Sequence, residues 1–387
     1  MNKHLEIAIV NTMPFPSGAA SVNRILSYSR GLVELGNNVI VYSTYFGKDL
    51  EIHSINNIKY RALRRKTNSY IRNKLSLFES LFRIIALLLS SNNKTQVIIL
   101  VSNSLLLIYP LYFICRIQKI IFIQEKSEFP FVLYKKSNLG KLYSSFYVNT
   151  TYKLFDGLII MTYKLEEYFK NKIKENSKTI VIPMTVEPNR FNIESKNNLG
   201  EYIAYCGDIG GNKDGVQNLI TSFSYLADDF PTLRLLLIGD SKNPNELVNL
   251  KIHVQKIKCK NVIFYGMVPR DEIPPLLCNA KVLALARPSS LQSTGGFPTK
   301  LGEYLSTGIP TIVTKVGDIP LYLKDNENAF LVNPDDNKAF AAKIRFVLNN
   351  YDKALSVAKN GKRLVYDTFN YKVQAERIEK YLLELIT

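Results

Sequence analysis

The feature that most limits what this chain can fold into is a rhythm of short apolar runs, each ending in a polar loop, that plays out twice. The first series opens with LEIAIVN (Leu5–Asn11), a loop TMPFPSGAAS and a helical segment reaching Leu35. GNNVIVYST follows, with Gly36 suited to a helix C-cap and Val39–Tyr42 to a strand. Val97–Val101, Lys119–Gln124 and Gly157–Met161 are further strand candidates. The second series comes after VIPMTVEPNRFN, with runs at Tyr202–Asp208, Leu233–Asp240, Asn261–Val268, Lys281–Ala286 and Pro310–Thr314. Strands that alternate with helices specify parallel, doubly wound sheets. The expected fold is therefore α/β, with two facing Rossmann-like domains. Their cleft is the default site, because ligands bind beyond the carboxyl ends of such strands.

A length of 387 residues agrees, being too long for one comfortable core. The polar stretch Glu187–Glu201 is the natural linker, which divides the chain into domains at 1–186 and 187–369. The end, NYKVQAERIEKYLLELI, has apolar residues at helical spacing. Residues 370–387 should form a terminal helix that returns to the first domain.

Cysteines Cys115, Cys206, Cys259 and Cys278 are scattered without CxxC spacing, and His4, His53 and His253 lie far apart. This pattern argues against zinc and fits a reducing cytoplasm. The start, MNKHLEIAIVNTMPFPSG, has too short an apolar run before Pro14 for a signal peptide. Val97–Cys115 carries no charge and imitates a membrane span, but Ser102, Asn103, Ser104 and Pro110 interrupt it. A buried strand, a polar loop and a buried helix explain it better.

The net charge of +17 is unevenly spread. Met1–Arg190 holds 26 Lys and Arg against 12 Asp and Glu, 26 − 12 = +14, and the remainder holds 24 − 21 = +3. Nucleic acid, an anionic membrane surface or a phosphate-bearing substrate would each suit the basic half. Aromatic–basic interleaving of an RNA-binding type is absent, so no nucleic acid is expected. Arg64–Leu89 joins a cationic start to an amphipathic, then apolar, helix. It suits peripheral attachment to an anionic inner membrane face, or equally a core helix with a solvated basic face.

Three glycine-bearing loops join a strand to a helix. PFPSGAASVNRI places Gly18 ahead of a helix N-terminus, where an anion is favoured, but an ordinary turn explains it as well. CGDIGGNKDGVQNLI surrounds Lys213 with Gly207, Gly210, Gly211 and Gly215, which suits a diphosphate, although the spacing is not that of a Walker A loop. STGGFPTKLGEYLSTGIPTIV sets Gly295, Gly296, Phe297 and Pro298 directly before Lys300 and Glu303. The lysine offers charge to a phosphate, and the carboxylate can accept from ribose hydroxyls or simply favour the helix dipole.

Taken in order, these blocks resemble the retaining family four glycosyltransferases, nucleotide-sugar-dependent enzymes of the GT-B fold that often build bacterial surface glycans. PSGAASVNRILSYSRGLVELGNNVIVYS is similar to the family's acceptor-side loop and second strand. VIPMTVEPNRF is similar to its hinge, and YCGDIGGNKDGVQNLITSF, LLLIGD, VIFYGMVPRDEIPPLL and GGFPTKLGEYLSTGIPTIVT to its donor-domain blocks. The resemblance implies catalytic roles for Lys213, Lys300 and Glu303. It implies donor contacts from Gly18, Gly207, Asp208, Gly266, Val268, Gly295, Gly296, Phe297, Pro298 and Leu301, and acceptor-side contacts from Arg24, Glu125 and Glu128. No metal or cofactor is implied. The donor would be a UDP- or GDP-linked sugar, and the acceptor lipid-linked or a glycan.

Three departures stand out. The family's first glutamate, eight residues before Glu303, is Gly295, and its arginine after the first donor-domain glycine is Asp208. A histidine common after the fifth strand is replaced by QEKSEFPF, with Gln124, Glu125 and Glu128. A sugar-nucleotide epimerase of similar shape is the rival enzyme, but it would want an acid–base pair that the sequence does not offer. A basic nucleic-acid-binding protein is the non-enzymatic rival.

Overall fold

A computed structural model describes residues 4–18, 20–130, 137–193, 199–211, 213–241 and 243–386. Ala19, Asn212, Phe131 and linker residues 194–198, which belong to stretches read above, lie outside the described residues. The chain divides into two compact units: Met1–Thr185 with Tyr371–Thr387, and Val186–Asn370.

The first unit is built on an eight-stranded sheet. Its strands are β1 (Glu6–Asn11), β2 (Asn38–Gly47), β3 (Ile52–Ile55), β4 (Ile58–Arg65), β5 (Val97–Val101), β6 (Ile121–Lys126), β7 (Gly157–Ile160) and β8 (Lys178–Val181). They run in the order β3-β4-β2-β1-β5-β6-β7-β8. Every pairing is parallel except β3 with β4, a hairpin whose Asn56 and Asn57 take left-handed φ of +50° and +64°. One sheet face, with Ile7, Ile9, Val41, Ile99 and Ile123, packs on Ile25, Tyr28 and Leu32 of helix Ala20–Glu34 and on Ile378 and Leu382 of the terminal helix Tyr371–Ile386. Right-handed crossovers put helices Tyr70–Leu89, Leu105–Gln118 and Asn138–Thr150 on the other face.

The charge-free stretch Val97–Cys115 is strand β5 followed by the helix Leu105–Gln118, with the polar residues in the loop. The next strand starts two residues later than its sequence suggests, because Lys119 caps that helix in a left-handed conformation. The basic start of Arg64–Leu89 is corrected: Arg64 and Arg65 end β4, with Arg64 over the Phe46 ring, and the helix begins only at Tyr70. Among the described residues no helix is long and apolar enough to cross a membrane.

The second unit holds β9 (Tyr202–Cys206), β10 (Arg234–Ile238), β11 (Val262–Gly266), β12 (Val282–Leu285), β13 (Thr311–Thr314) and β14 (Phe330–Val332). The order is β11-β10-β9-β12-β13-β14, all parallel. These strands read as apolar runs because nearly all are buried on both faces. The order reverses at β9, so β9 and β12 flank the switch point where open α/β sheets bind ligands.

Candidate active site

The carboxyl ends of β9 and β12 carry a cluster of charged side chains. Cys206 passes into a loop through Gly207, whose φ of +153° and tight surroundings suit only glycine: an added Cβ would lie 2.5 Å from the ammonium of Lys300. Lys300 is in the first turn of helix Thr299–Thr307 and reaches back to this loop, bonding the Asp214 carboxylate and the Tyr205 hydroxyl, the latter at 3.1 Å. Gly215 follows, with φ of +68°, and an added Cβ there would collide with the Ala286 carbonyl at 1.8 Å. That close approach presses the β9 loop onto the end of β12.

Arg287 completes the cluster from the end of β12. Its side chain is fully buried, with Nε 3.5 Å from Asp214 Oδ1. Nε also donates to the Lys213 carbonyl at 3.4 Å and Nη1 to the Gly296 carbonyl at 3.2 Å, while the Arg287 carbonyl accepts from Thr314 Oγ1 at 2.7 Å. One guanidinium thus ties together the two glycine-rich loops. Burial opposes ionisation of Asp214, but Lys300 and Arg287 outweigh it and hold the carboxyl below its ordinary range. Burial first, and the Asp214 charge second, push the Tyr205 phenol far above its ordinary value, so it stays a neutral donor. That hydroxyl donates to the Asp208 carbonyl at 2.6 Å.

Glu303 lies one turn further along the same helix. Its carboxylate is 3.6 Å from Arg190 Nη1, and Arg190 also donates to the Arg270 carbonyl at 3.0 Å. Burial raises the Glu303 pKa, and Arg190, Arg270 and Lys300 pull it back only in part, so it stays above the usual carboxylate value. Lys213 is half-buried in the β9 loop. The structure therefore brings Lys213, Lys300, Glu303, Gly207 and Gly296 to one strand end.

Asp208, Gly295 and Pro298 directly adjoin Gly207, Gly296 and Thr299 along the chain. Asp208 is exposed, with Oδ1 accepting from the Gly210 amide at 3.0 Å. Gly266 ends the edge strand β11 and Val268 follows it, with the Gly266 carbonyl accepting from the Gly239 amide at 2.8 Å. Gly295 ends the short helix Leu291–Gly295, and Pro298 immediately precedes helix Thr299–Thr307. Phe297 and Leu301, expected as donor contacts, are packed side chains. Phe297 is buried in an aromatic cluster with Tyr322 and Phe369, at ring distances of 5.5 and 5.8 Å. Leu301 is fully buried, and its amide is taken by the Pro298 carbonyl. Both side chains pack the helix in place.

In the first unit Arg24 and Glu125, expected on the acceptor side, meet each other. They form a buried ion pair at 2.8 Å, and Arg24 donates further to the carbonyls of Ile182 and Pro183 at 2.5 Å each. With their polar atoms bound to one another, they fasten helix Ala20–Glu34 to the ends of β6 and β8. Glu128 is exposed beyond β6, and Gly18 lies in the loop after β1. Among the described residues no group of three His, Cys, Asp or Glu could hold a metal.

Asp214, Arg287, Tyr205 and Arg190 are site residues that sequence reasoning missed. The available signal was a charged residue directly after an apolar run, VLALAR, and an aspartate between Lys213 and Gly215.

Residues 186–364 match the family model described as Glycosyl transferases group 1. That match lies within the second unit and spans just under half of the chain. The whole chain takes the GT-B fold of these enzymes, in which both sheets are of the doubly wound α/β type. It is similar to the sucrose-phosphate synthase of Thermosynechococcus elongatus, with a TM-score of 0.76, 18% identity and 99% of each chain covered. It is also similar to HepE of Anabaena in complex with UDP-glucose, with a TM-score of 0.74, 14% identity, and 98% of this chain and 100% of that one covered. An uncharacterized 41.2 kDa protein in the cps region of Klebsiella pneumoniae is 30% identical over 107 residues. That match spans 27% of this chain and 28% of the relative, well short of two thirds of its length.

Proposed function

We propose that this chain is a group 1 glycosyltransferase that moves a sugar from a UDP- or GDP-linked donor to a lipid-linked or glycan acceptor, in cell-surface polysaccharide synthesis. The anomeric configuration is retained and no metal takes part. The observation that carries this reading is the position of the Lys300 ammonium against Gly207, at the switch-point end of β9, with Lys213 in the same loop. A diphosphate seated there would meet two lysines and the amino end of helix Thr299–Thr307. As the bond from the anomeric carbon to the diphosphate oxygen breaks, negative charge grows on the departing phosphate. Cations already in place favour that charge without reorganisation. The acceptor hydroxyl attacks the same face, and its proton passes to the departing phosphate oxygen, so no further base is needed. The likeness to a protein crystallised with UDP-glucose supports a uridine donor. The cps-region relative supports a surface glycan as product.

Incubation with UDP-glucose, UDP-N-acetylglucosamine and GDP-mannose, with and without EDTA, tests the proposal through nucleotide release and the anomeric NMR signal of the product. We expect release from one donor, retention, and no loss of rate in EDTA. Inversion or metal dependence would remove those parts of the reading, and an epimerised donor with no transfer would replace it.

A further inference from the structure

We propose that the outer faces of three helices in the first unit form a docking surface for an anionic lipid bilayer. Helices Tyr70–Leu89, Leu105–Gln118 and Asn138–Thr150 lie on the same face of the sheet. The first packs on the second, and Tyr109 of the second bonds Thr150 of the third at 3.2 Å. Each turns a buried side to the sheet: Ile84 and Leu88; Leu107, Leu111 and Cys115; Tyr147 and Val148. Each presents an apolar stripe on the opposite side, where a soluble helix would be polar.

The stripes keep helical register. Phe78, Phe82 and Leu89 are four and seven residues apart, Leu106, Phe113 and Ile117 seven and four, and Leu139, Leu142 and Phe146 three and four. All nine side chains are 46 to 82% exposed. Scattered exposed leucines need no explanation, but nine large apolar side chains on adjoining helices form a surface that seeks an apolar partner.

Charge selects the bilayer as that partner. Between Tyr70 and Leu154 the sequence holds eleven Lys and Arg against three Asp and Glu, 11 − 3 = +8. Of the three acids Glu79 is paired with Arg83, and Glu125 is buried against Arg24. Exposed Lys94, Lys119 and Lys153 follow the carboxyl ends of the three parallel helices, and Lys141 is exposed on the third. Apolar stripes edged by lysines match the boundary between acyl chains and anionic headgroups, with the helices lying in the interface. This inference goes beyond the transfer reading and needs no activity for its test. A lipid-carried acceptor would be met at the same surface.

The chain has no tryptophan, so Phe113→Trp creates a single fluorescent reporter within a stripe. Mixed with vesicles of phosphatidylcholine and phosphatidylglycerol, the full chain should shift that emission to the blue. Brominated lipid should quench it, and salt should weaken the effect. A triple Phe82→Ser, Phe113→Ser, Leu142→Ser variant should float with the same vesicles at least tenfold less well, with unchanged circular dichroism. A triple Lys119→Glu, Lys141→Glu, Lys153→Glu variant should lose about a hundredfold. No flotation of the parent chain, or an unquenched reporter in chain bound to the vesicles, would overturn the proposal. So would a dimer in sedimentation that the serine variant dissolves while the parent ignores vesicles, since a second copy would then be the occupant.

Discussion

The two units solve the same packing problem and use their buried charges differently. In the first, Arg24 and Glu125 neutralise one another deep under a helix, and Lys126 is buried against Asn103 and over the Tyr152 ring. These groups join strand ends to helices, with their polar atoms facing protein. In the second, Lys300, Asp214 and Arg287 also pair, but across two loops at the switch-point end of the sheet, and the Lys300 and Asp214 side chains remain about one eighth exposed. A buried charge pair is weak evidence of stability in either place. Residual exposure separates a fastener from a site: 2 and 4% for the Arg24 and Glu125 side chains against 13 and 12% for Lys300 and Asp214.

The largest effect should come from breaking the fastener. Arg24→Ala leaves Glu125 buried without its cation and two carbonyls without their donor, a loss of roughly 3–5 kcal/mol. Urea denaturation should show it, while nucleotide affinity of the folded variant stays normal. A change in nucleotide affinity at constant fold would move Arg24 back to the site.

Breaking the site should do the reverse. Lys300→Ala removes a cation from the proposed leaving group and should slow turnover by roughly 10²- to 10³-fold, or about 2.7–4 kcal/mol. Asp214 keeps Arg287, so the melting temperature should move far less than in Arg24→Ala. Steady-state rates and calorimetry on one preparation check both halves. Equal loss of stability in the two variants would erase the distinction between the units.

Lys126 sharpens the comparison through pH. Burial lowers its pKa from the ordinary 10.5 to about 8, although Glu125 and Glu128 pull it upward. Between those values the unfolded chain binds more protons than the folded one, so this group makes stability rise with pH. Its cost is fully present below about pH 8 and is relieved towards pH 10.5, by roughly 3 kcal/mol at 1.36 kcal/mol per unit. Lys126→Met has no such cost. Its stability relative to the parent should be highest at pH 7 and decline by that amount as pH rises. The difference cancels Cys115 and the buried tyrosines, which titrate alike in both proteins. A difference that stays flat with pH would mean that the parent lysine is hydrated.

The parallel sheets were legible because double burial leaves most strands as uninterrupted apolar runs, such as Val97–Val101 and Val282–Leu285. Strands β3, β4 and β8 were not, since they are partly exposed and carry Lys, Arg, His or Thr. The three-residue β14 is too short to stand out. Lys213, Lys300 and Glu303 were legible from glycine-rich surroundings. Arg287 was not, because what makes it part of the site is the approach of two loops distant in sequence, at Lys213 and Gly296. The partners of Arg24 were hidden for the matching reason: its two carbonyl acceptors are 158 and 159 residues away.

The smallest expected effect belongs to Glu303, where the site and a fastener meet in one residue. Its carboxylate faces Arg190 at 3.6 Å, an arrangement that could serve structure alone. Yet burial keeps its pKa above the ordinary carboxylate value despite three nearby cations, and a group held that way is poised to accept hydrogen bonds from a ligand. If it accepts from the ribose hydroxyls, Glu303→Gln should weaken nucleotide binding by roughly 1.5–3 kcal/mol, raise the donor KM, and affect turnover less. The pH dependence carries the sign. Only the ionised form accepts two such bonds, so parent affinity should fall as pH drops through the raised pKa. Glu303→Gln should lack that component, and comparing the two cancels protonation of the nucleotide itself. If the carboxylate only favours the helix dipole, the variant loses roughly 0.3–1 kcal/mol of stability and keeps its affinity at every pH. Calorimetric titration with UDP across the acid range, beside a melting curve for each protein, decides between the two roles.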